Sequence, residues 1–133
     1  MRKTRAAYRI RQNLVLENTA PERFVQKILD ELQIVYRLGE TVNIFDGFAW
    51  WISHPDALIE SRPCKVIIEV DGPYHQTKIQ ARKTRWRNAA LNEKSYRVVH
   101  IPSELCCSKF RDYLVSELVK ALASPDMVVN IVA

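Results

Sequence analysis

Pro55-Asp-Ala-Leu-Ile-Glu60 and Lys65-Val-Ile-Ile-Glu-Val-Asp71, separated by Ser61-Arg-Pro-Cys64, decide the fold. Both stretches are short and largely apolar, the pattern of buried strands. The residues between them make a natural hairpin loop. Closing it pairs Glu60 with Lys65, Ile59 with Val66, Leu58 with Ile67 and Ala57 with Ile68. Each is a favourable cross-strand pair. The same register sets Asp56 opposite Glu69 on one face, with Cβ atoms about 5 Å apart. Two opposed carboxylates repel. A divalent cation between them removes that penalty, and so does a shared proton. Mg²⁺ and Mn²⁺ prefer oxygen donors, so Asp56, Glu69 and the carbonyl of Val70 form the candidate metal site. The blander alternative leaves both acids at frayed strand ends in solvent. A slip of one residue would move one acid to the other face.

Working outward, Thr19-Ala-Pro-Glu22 reads as a capping box, with Glu22 at the third helical position. Phe24, Val25, Ile28, Leu29 and Leu32 then share one face of a helix ending near Gln33. Strands are expected at 35–44 and 47–52, turning at Asp46-Gly47. Asp71-Gly-Pro-Tyr74 breaks the chain before a helix over 76–93, whose buried stripe would carry Ile79 and Trp86. Arg97-Val-Val-His-Ile101 is a strand, and Pro102-Ser103 opens a last helix reaching about 122. The tail from Met127 is apolar, suited to an edge strand or to a partner. The order predicts an α/β fold of one domain over 1–133: a mixed central sheet flanked by helices.

The chain carries a net charge of +5 with 47% hydrophobic residues. Residues 1–16 hold Arg2, Lys3, Arg5, Arg9 and Arg11 without an acid. Residues 76–94 hold Lys78, Arg82, Lys83, Arg85, Arg87 and Lys94 against Glu93 alone. Charge clustered this way favours a polyanion, and nucleic acid is the expected partner. Its bland counterpart is a pair of solvated helix faces. No apolar run is long enough to span a membrane, and the basic start lacks an apolar core for a secretory signal. Three cysteines without a C-x-x-C argue against zinc and for a reducing, intracellular compartment.

The stretch Pro55-Asp56…Glu69-Val-Asp71-Gly72…His75 resembles the PD-(D/E)xK nucleases, the restriction-endonuclease-like fold. With Glu22, Arg87, Leu91 and Tyr96-Arg-Val-Val99 it looks most like the very-short-patch-repair-endonuclease branch. The likeness runs from about residue 8 to 105. It implies Asp56 and Glu69 as metal ligands, His75 as acid/base or phosphate contact, and Glu22 as a helper. The function it implies is Mg²⁺- or Mn²⁺-dependent hydrolysis of phosphodiester bonds, in DNA before RNA. Three positions depart from the pattern. Asp71 stands where a lysine is classical, Lys83-Thr84 where the branch usually has Asp, and Ser95 where Gly usually precedes Tyr96. Glu69-Val-Asp-Gly-Pro-Tyr-His75, Lys83-Thr84-Arg85 and Tyr96-Arg-Val-Val-His-Ile-Pro102 also resemble the RAP domain, nuclease-like and linked to RNA. Leu105 replaces its usual aromatic. The alternative function is therefore a RAP-like or decayed module that grips nucleic acid without cutting.

Catalytic candidates are Asp56, Glu69, Asp71, His75 and Glu22. Asp71 or His75 would orient or deprotonate water. Lys78, Arg82, Lys83, Arg85, Arg87, Arg5 and Arg9 are the candidate phosphate contacts. They cannot all face one ligand from a single helix, since successive residues turn about 100°, and Arg87 is free to pair with a site carboxylate instead. Glu22 has a purely capping alternative, and Asp71 a purely turn-forming one. His54 and His100 read as structural, and Trp50 and Trp51 as core or interface. Symmetric cutting of two strands needs two sites, which makes a homodimer an expected option.

Overall fold

The computed structural model describes residues 19–72 and 77–133. The expected basic arm with Arg5 and Arg9, and the candidate His75, lie outside the described residues.

Helix α1 (Ala20–Glu31) starts as the sequence predicts. The Thr19 hydroxyl accepts from the Glu22 N–H, and the Glu22 carboxylate accepts from the Thr19 N–H. Strands β1 (Tyr36–Arg37), β4 (Ala57–Ile59), β5 (Lys65–Asp71), β6 (Tyr96–Pro102) and β7 (Val128–Asn130) form one sheet in the order β1-β4-β5-β6-β7. The β4–β5 hairpin has the predicted register, Ala57 to Ile68, Leu58 to Ile67 and Ile59 to Val66. Pairing of β5 with β6 and of β6 with β7 is parallel. Helices α2 (Lys78–Glu93) and α3 (Arg111–Ala123) make the two crossovers that parallel pairs require.

Two expectations fail. The segment 35–44 is two short strands, not one, because Gly39 turns the chain with φ +73°. Its second half, β2 (Val42–Phe45), pairs with β3 (Trp50–Ser53) as a separate hairpin. The last helix begins at Arg111. Ser103–Leu105 and Ser108–Phe110 are single 3₁₀ turns that keep Leu105 buried before it.

Alternation along β5 divides the core. Val66 and Ile68 meet Val25, Ile28 and Leu29 of α1 and Leu114 and Leu118 of α3. Ile67 meets Val98, Leu58, Val42, Ile44 and Leu91 on the opposite face, under α2 and the β2–β3 hairpin. Each fully buried aliphatic side chain contributes about 1.5–3 kcal/mol. Arg97 is buried among them, at 8% exposure. Its guanidinium donates to the carbonyls of Ala121, Leu122 and Asp126, at and just past the C-terminus of α3, where carbonyls lack helical partners.

Ser95 takes φ +67°, one residue beyond the Lys94 cap of α2. That left-handed position suits glycine. Ser95→Gly is expected to stabilise the fold by about 0.5–1 kcal/mol, the relieved strain being partly offset by glycine's freedom when unfolded. A urea titration would show it as a higher midpoint with an unchanged slope.

Candidate active site

The alternation that buries Ile68 turns Glu69 and Asp71 toward α2. Parallel register sets His100 of β6 beside Glu69. All three sit near the carboxyl ends of parallel strands, where α/β sheets commonly bind ligands.

Glu69 is held from three directions. The Arg87 Nη2 donates to its Oε1 at 2.8 Å. The Ser53 hydroxyl lies 3.3 Å from Oε2 as a donor. His100 Nδ1 is 3.8 Å from Oε1 and 3.2 Å from Asp71 Oδ2. Behind the ring, Asn88 Nδ2 lies 3.2 Å from Nε2. His100 is thus buried and hydrogen-bonded, as expected, but it belongs to the acidic cluster. The sequence reading missed this because a parallel partner's register cannot be read from one strand. Ser53 carried no signal at all. The pairing of Arg87 with a carboxylate was foreseen.

Asp56 lies one residue before Ala57, the first paired position of β4. Its N–H donates to the carbonyl of Ile68, and its Oδ2 accepts from the N–H of Val70 at 2.7 Å. Burial pushes its carboxyl up to about 7; the charge of Glu22, a hydrogen bond with Glu22 and the charge of Glu69 push the same way, against the Val70 bond. Glu22 closes the capping box, and its carboxylate also interacts with Asp56. The Asp71 side chain is half exposed and engages His100.

Lys83 lines a cleft of about 330 Å³ with Glu69, Asp71, Arg87 and His100. Arg85 lines an adjoining cleft of about 670 Å³ with Asp71, Asn88 and His100. Lys78 and Arg82 are exposed on α2. The expected buried stripe of Ile79 and Trp86 is corrected: they are 63% and 55% exposed. Helix α2 buries Asn88, Ala90 and Leu91 in its second half instead, and its first half stands off the sheet. Trp50 is likewise exposed, and Trp51 packs edge-on against Trp86 at 6.4 Å.

The carboxylates of Asp56, Glu69 and Glu22 and the Val70 carbonyl are oxygen donors of the kind that Mg²⁺ or Mn²⁺ prefers. Burial first, then Glu22 and Glu69, drive the Asp56 carboxyl toward protonation, a cost that a bound cation would relieve. Among the described residues it is Glu69, Asp71 and His100 that bring candidate donor atoms within 4.8 Å of one another. There the Arg87 guanidinium already balances Glu69 Oε1.

No protein-family model and no curated protein matches the chain. Among solved structures it is similar to the catalytic domain of the homing endonuclease I-Bth0305I. Identity is 27%, the match covers 80% of this chain and 96% of that one, and the TM-score is 0.55. The mixed five-stranded sheet flanked by helices is thus similar to a nuclease catalytic domain. Among the described residues, no helix is long and apolar enough to cross a membrane.

Proposed function

We propose that this chain is a divalent-cation-dependent endonuclease that hydrolyses phosphodiester bonds in DNA, of the very-short-patch-repair-like branch of PD-(D/E)xK nucleases. One observation carries the reading. Glu69, Asp71 and His100 gather donor atoms within 4.8 Å of one another, Lys83 and Arg87 line the same cleft, and the partly buried Asp56 carboxyl feels the charges of Glu22 and Glu69.

Asp56, Glu69 and the Val70 carbonyl would hold the cation. Asp56 is the better side for it, since Arg87 already neutralises part of Glu69. A bound Mg²⁺ or Mn²⁺ would polarise a phosphate and lower the pKa of its water. The remaining work falls to the chain's own groups. Ser53, Arg87 and His100 fix the orientation of Glu69. Lys83 supplies positive charge in the cleft, in place of the classical lysine that Asp71 displaces. The N-terminus of α2, capped by Thr77, adds its positive dipole. His75 is the proposed proton donor to the leaving oxygen, and Asp71 orients His100. Lys78, Arg82, Arg85, Arg5 and Arg9 would hold the flanking backbone. An intracellular setting, one domain over 1–133 and a homodimer that cuts both strands complete the proposal.

A RAP-like or decayed module that grips nucleic acid without cutting is the second reading. It draws on Asp71, whose carboxylate is engaged by His100 where a lysine is classical. Incubation of the purified chain with plasmid, single-stranded DNA and RNA, with Mg²⁺, Mn²⁺ or EDTA, separates the two. Cation-dependent DNA cleavage is expected. Binding without cleavage in either cation, with no heat of Mn²⁺ binding by calorimetry, would sink the enzyme reading.

A further inference from the structure

Arg87 is only partly satisfied where it stands. Its Nη2 donates to Glu69 Oε1 at 2.8 Å, yet its Nε–H is buried with no acceptor among the described residues. A guanidinium carries its donors in a rigid fork that matches the spaced oxygens of a carboxylate or phosphate. A buried donor without an acceptor has given up water and gained nothing in return. The contact with Glu69 is therefore weaker than this side chain can make. It also has somewhere to go: the side chain is 26% exposed and lines the cleft of about 330 Å³ with Gln80, Lys83 and Thr84.

Glu69 is held the other way round. Its side chain is 13% exposed and both carboxylate oxygens are engaged, Oε1 by Arg87 and Oε2 by the Ser53 hydroxyl at 3.3 Å. Asp71 brings a further carboxylate oxygen within 4.8 Å, and the charge of Glu69 already acts on Asp56. Without a counterion, Glu69 would stand among like charges in a partly buried site. It needs a cation beside it, and in this structure that cation is the Arg87 guanidinium.

An anion entering the cleft changes this balance. It meets Lys83 and Arg87 on one wall. A phosphate offers Arg87 what Glu69 does not, namely oxygens spaced to take the Nε–H together with an Nη–H. Leaving Glu69 breaks the ion pair, so the move is favourable only when another positive charge replaces the guanidinium there. A divalent cation with a preference for carboxylate oxygen is suited to that place. The two arrivals therefore help each other through one side chain.

We infer that Arg87 is a positioning residue with two stations, Glu69 and a backbone phosphate, and that nucleic acid opens Glu69 to the cation by drawing Arg87 from the first station to the second. The inference rests on the nuclease reading above and adds to it that substrate and cation bind with positive coupling. Such coupling is reciprocal: each ligand tightens the other by the same factor.

The test is Mn²⁺ calorimetry on the full chain, with and without a short duplex whose phosphorothioate linkages resist cleavage. In the wild type the duplex should tighten Mn²⁺ binding by about 5- to 150-fold, the usual range for coupled sites. Arg87→Gln alone should bind Mn²⁺ more tightly than the wild type alone, and should lose most of the duplex effect. Arg85→Ala, which removes a cation of the adjoining cleft, should weaken duplex binding and keep the coupling. If Arg87 only orients Glu69, Arg87→Gln will bind Mn²⁺ more weakly and keep the wild-type duplex effect, which overturns the inference. Equal loss of coupling in Arg85→Ala would assign it to charge alone and overturn the inference too. A second measurement needs no variant to fold. The Arg87 Nε–H proton resonance should move when Mg²⁺ and the duplex are added together, and less with either alone. A resonance unmoved by both, with the duplex bound, would overturn the exchange and leave the nuclease reading standing. A wild type that binds no Mn²⁺ even with the duplex present would overturn the nuclease reading itself.

Discussion

Asp56→Asn is expected to raise the melting temperature of the cation-free protein by roughly 5–10 °C at pH 8 and to leave it nearly unchanged at pH 3.5. The Asp56 carboxyl goes from an ordinary 3.8 to about 7 in the folded chain, through burial first and then Glu22 and Glu69. Below pH 3.8 both states hold the proton, and Asp56 costs nothing relative to Asn. Between 3.8 and 7 the folded state binds more proton than the unfolded, so stability falls as pH rises. Above 7 the loss is complete. A shift of that size corresponds to about 4 kcal/mol, but the carboxylate is only half-buried and solvent screening reduces the figure to about 2 kcal/mol. Asn keeps an oxygen for the Val70 N–H and can donate to Glu22. Adding Mn²⁺ at pH 8 should stabilise the wild type by about 2.7 kcal/mol at a hundredfold excess over Kd, and should not stabilise the variant. An unchanged pH profile in the variant would show that Asp56 is solvated and uncoupled from its neighbours.

This opposition between stability and site chemistry explains what the sequence could and could not disclose. The hairpin register was legible because each of three pairs, Ala57–Ile68, Leu58–Ile67 and Ile59–Val66, had to bury together or not at all. A one-residue slip would have carried Ile67 to the α1–α3 face of the sheet and Glu69 with it, away from α2. The capping box was legible because Thr19 and Glu22 act locally. His100 was not, since its place beside Glu69 depends on the stagger of β5 against β6 across the intervening helix α2. Nor were Ile79 and Trp86. Helical spacing assigns a face to a residue, but it does not say that the first half of α2 stands clear of the sheet. Trp51 packs on the core as expected, whereas Trp50 does not. Large aromatics bury by default, and the exposed outer row of the β2–β3 hairpin goes against that default.

Glu69→Gln should lower cation-dependent cleavage by at least about 10³-fold, a loss of roughly 4 kcal/mol of transition-state stabilisation. The substitution keeps the shape of the side chain and removes its charge, so loss of activity would report the charge. Its effect runs through two partners. A cation held with Asp56 loses a formal negative ligand. The Arg87 guanidinium, whose Nε has no hydrogen-bond partner of its own, loses the ion pair at 2.8 Å. The freed cation in the cleft repels a bound metal, which compounds the loss. His100→Gln tests the same network from outside. It removes the ring that bridges Glu69 and Asp71 without touching the proposed donors, so the expected loss is only about 10- to 100-fold, the range for groups that orient a ligand. Mn²⁺ calorimetry should follow the same ranking, with binding abolished in Glu69→Gln and weakened in His100→Gln. If both variants cut at near wild-type rate, Glu69 is a structural partner of Arg87 and the hydrolytic centre lies elsewhere. If His100→Gln alone falls to the level of Glu69→Gln, the imidazole acts directly on substrate or cation, and Glu69, Asp71 and His100 become the working ligand set.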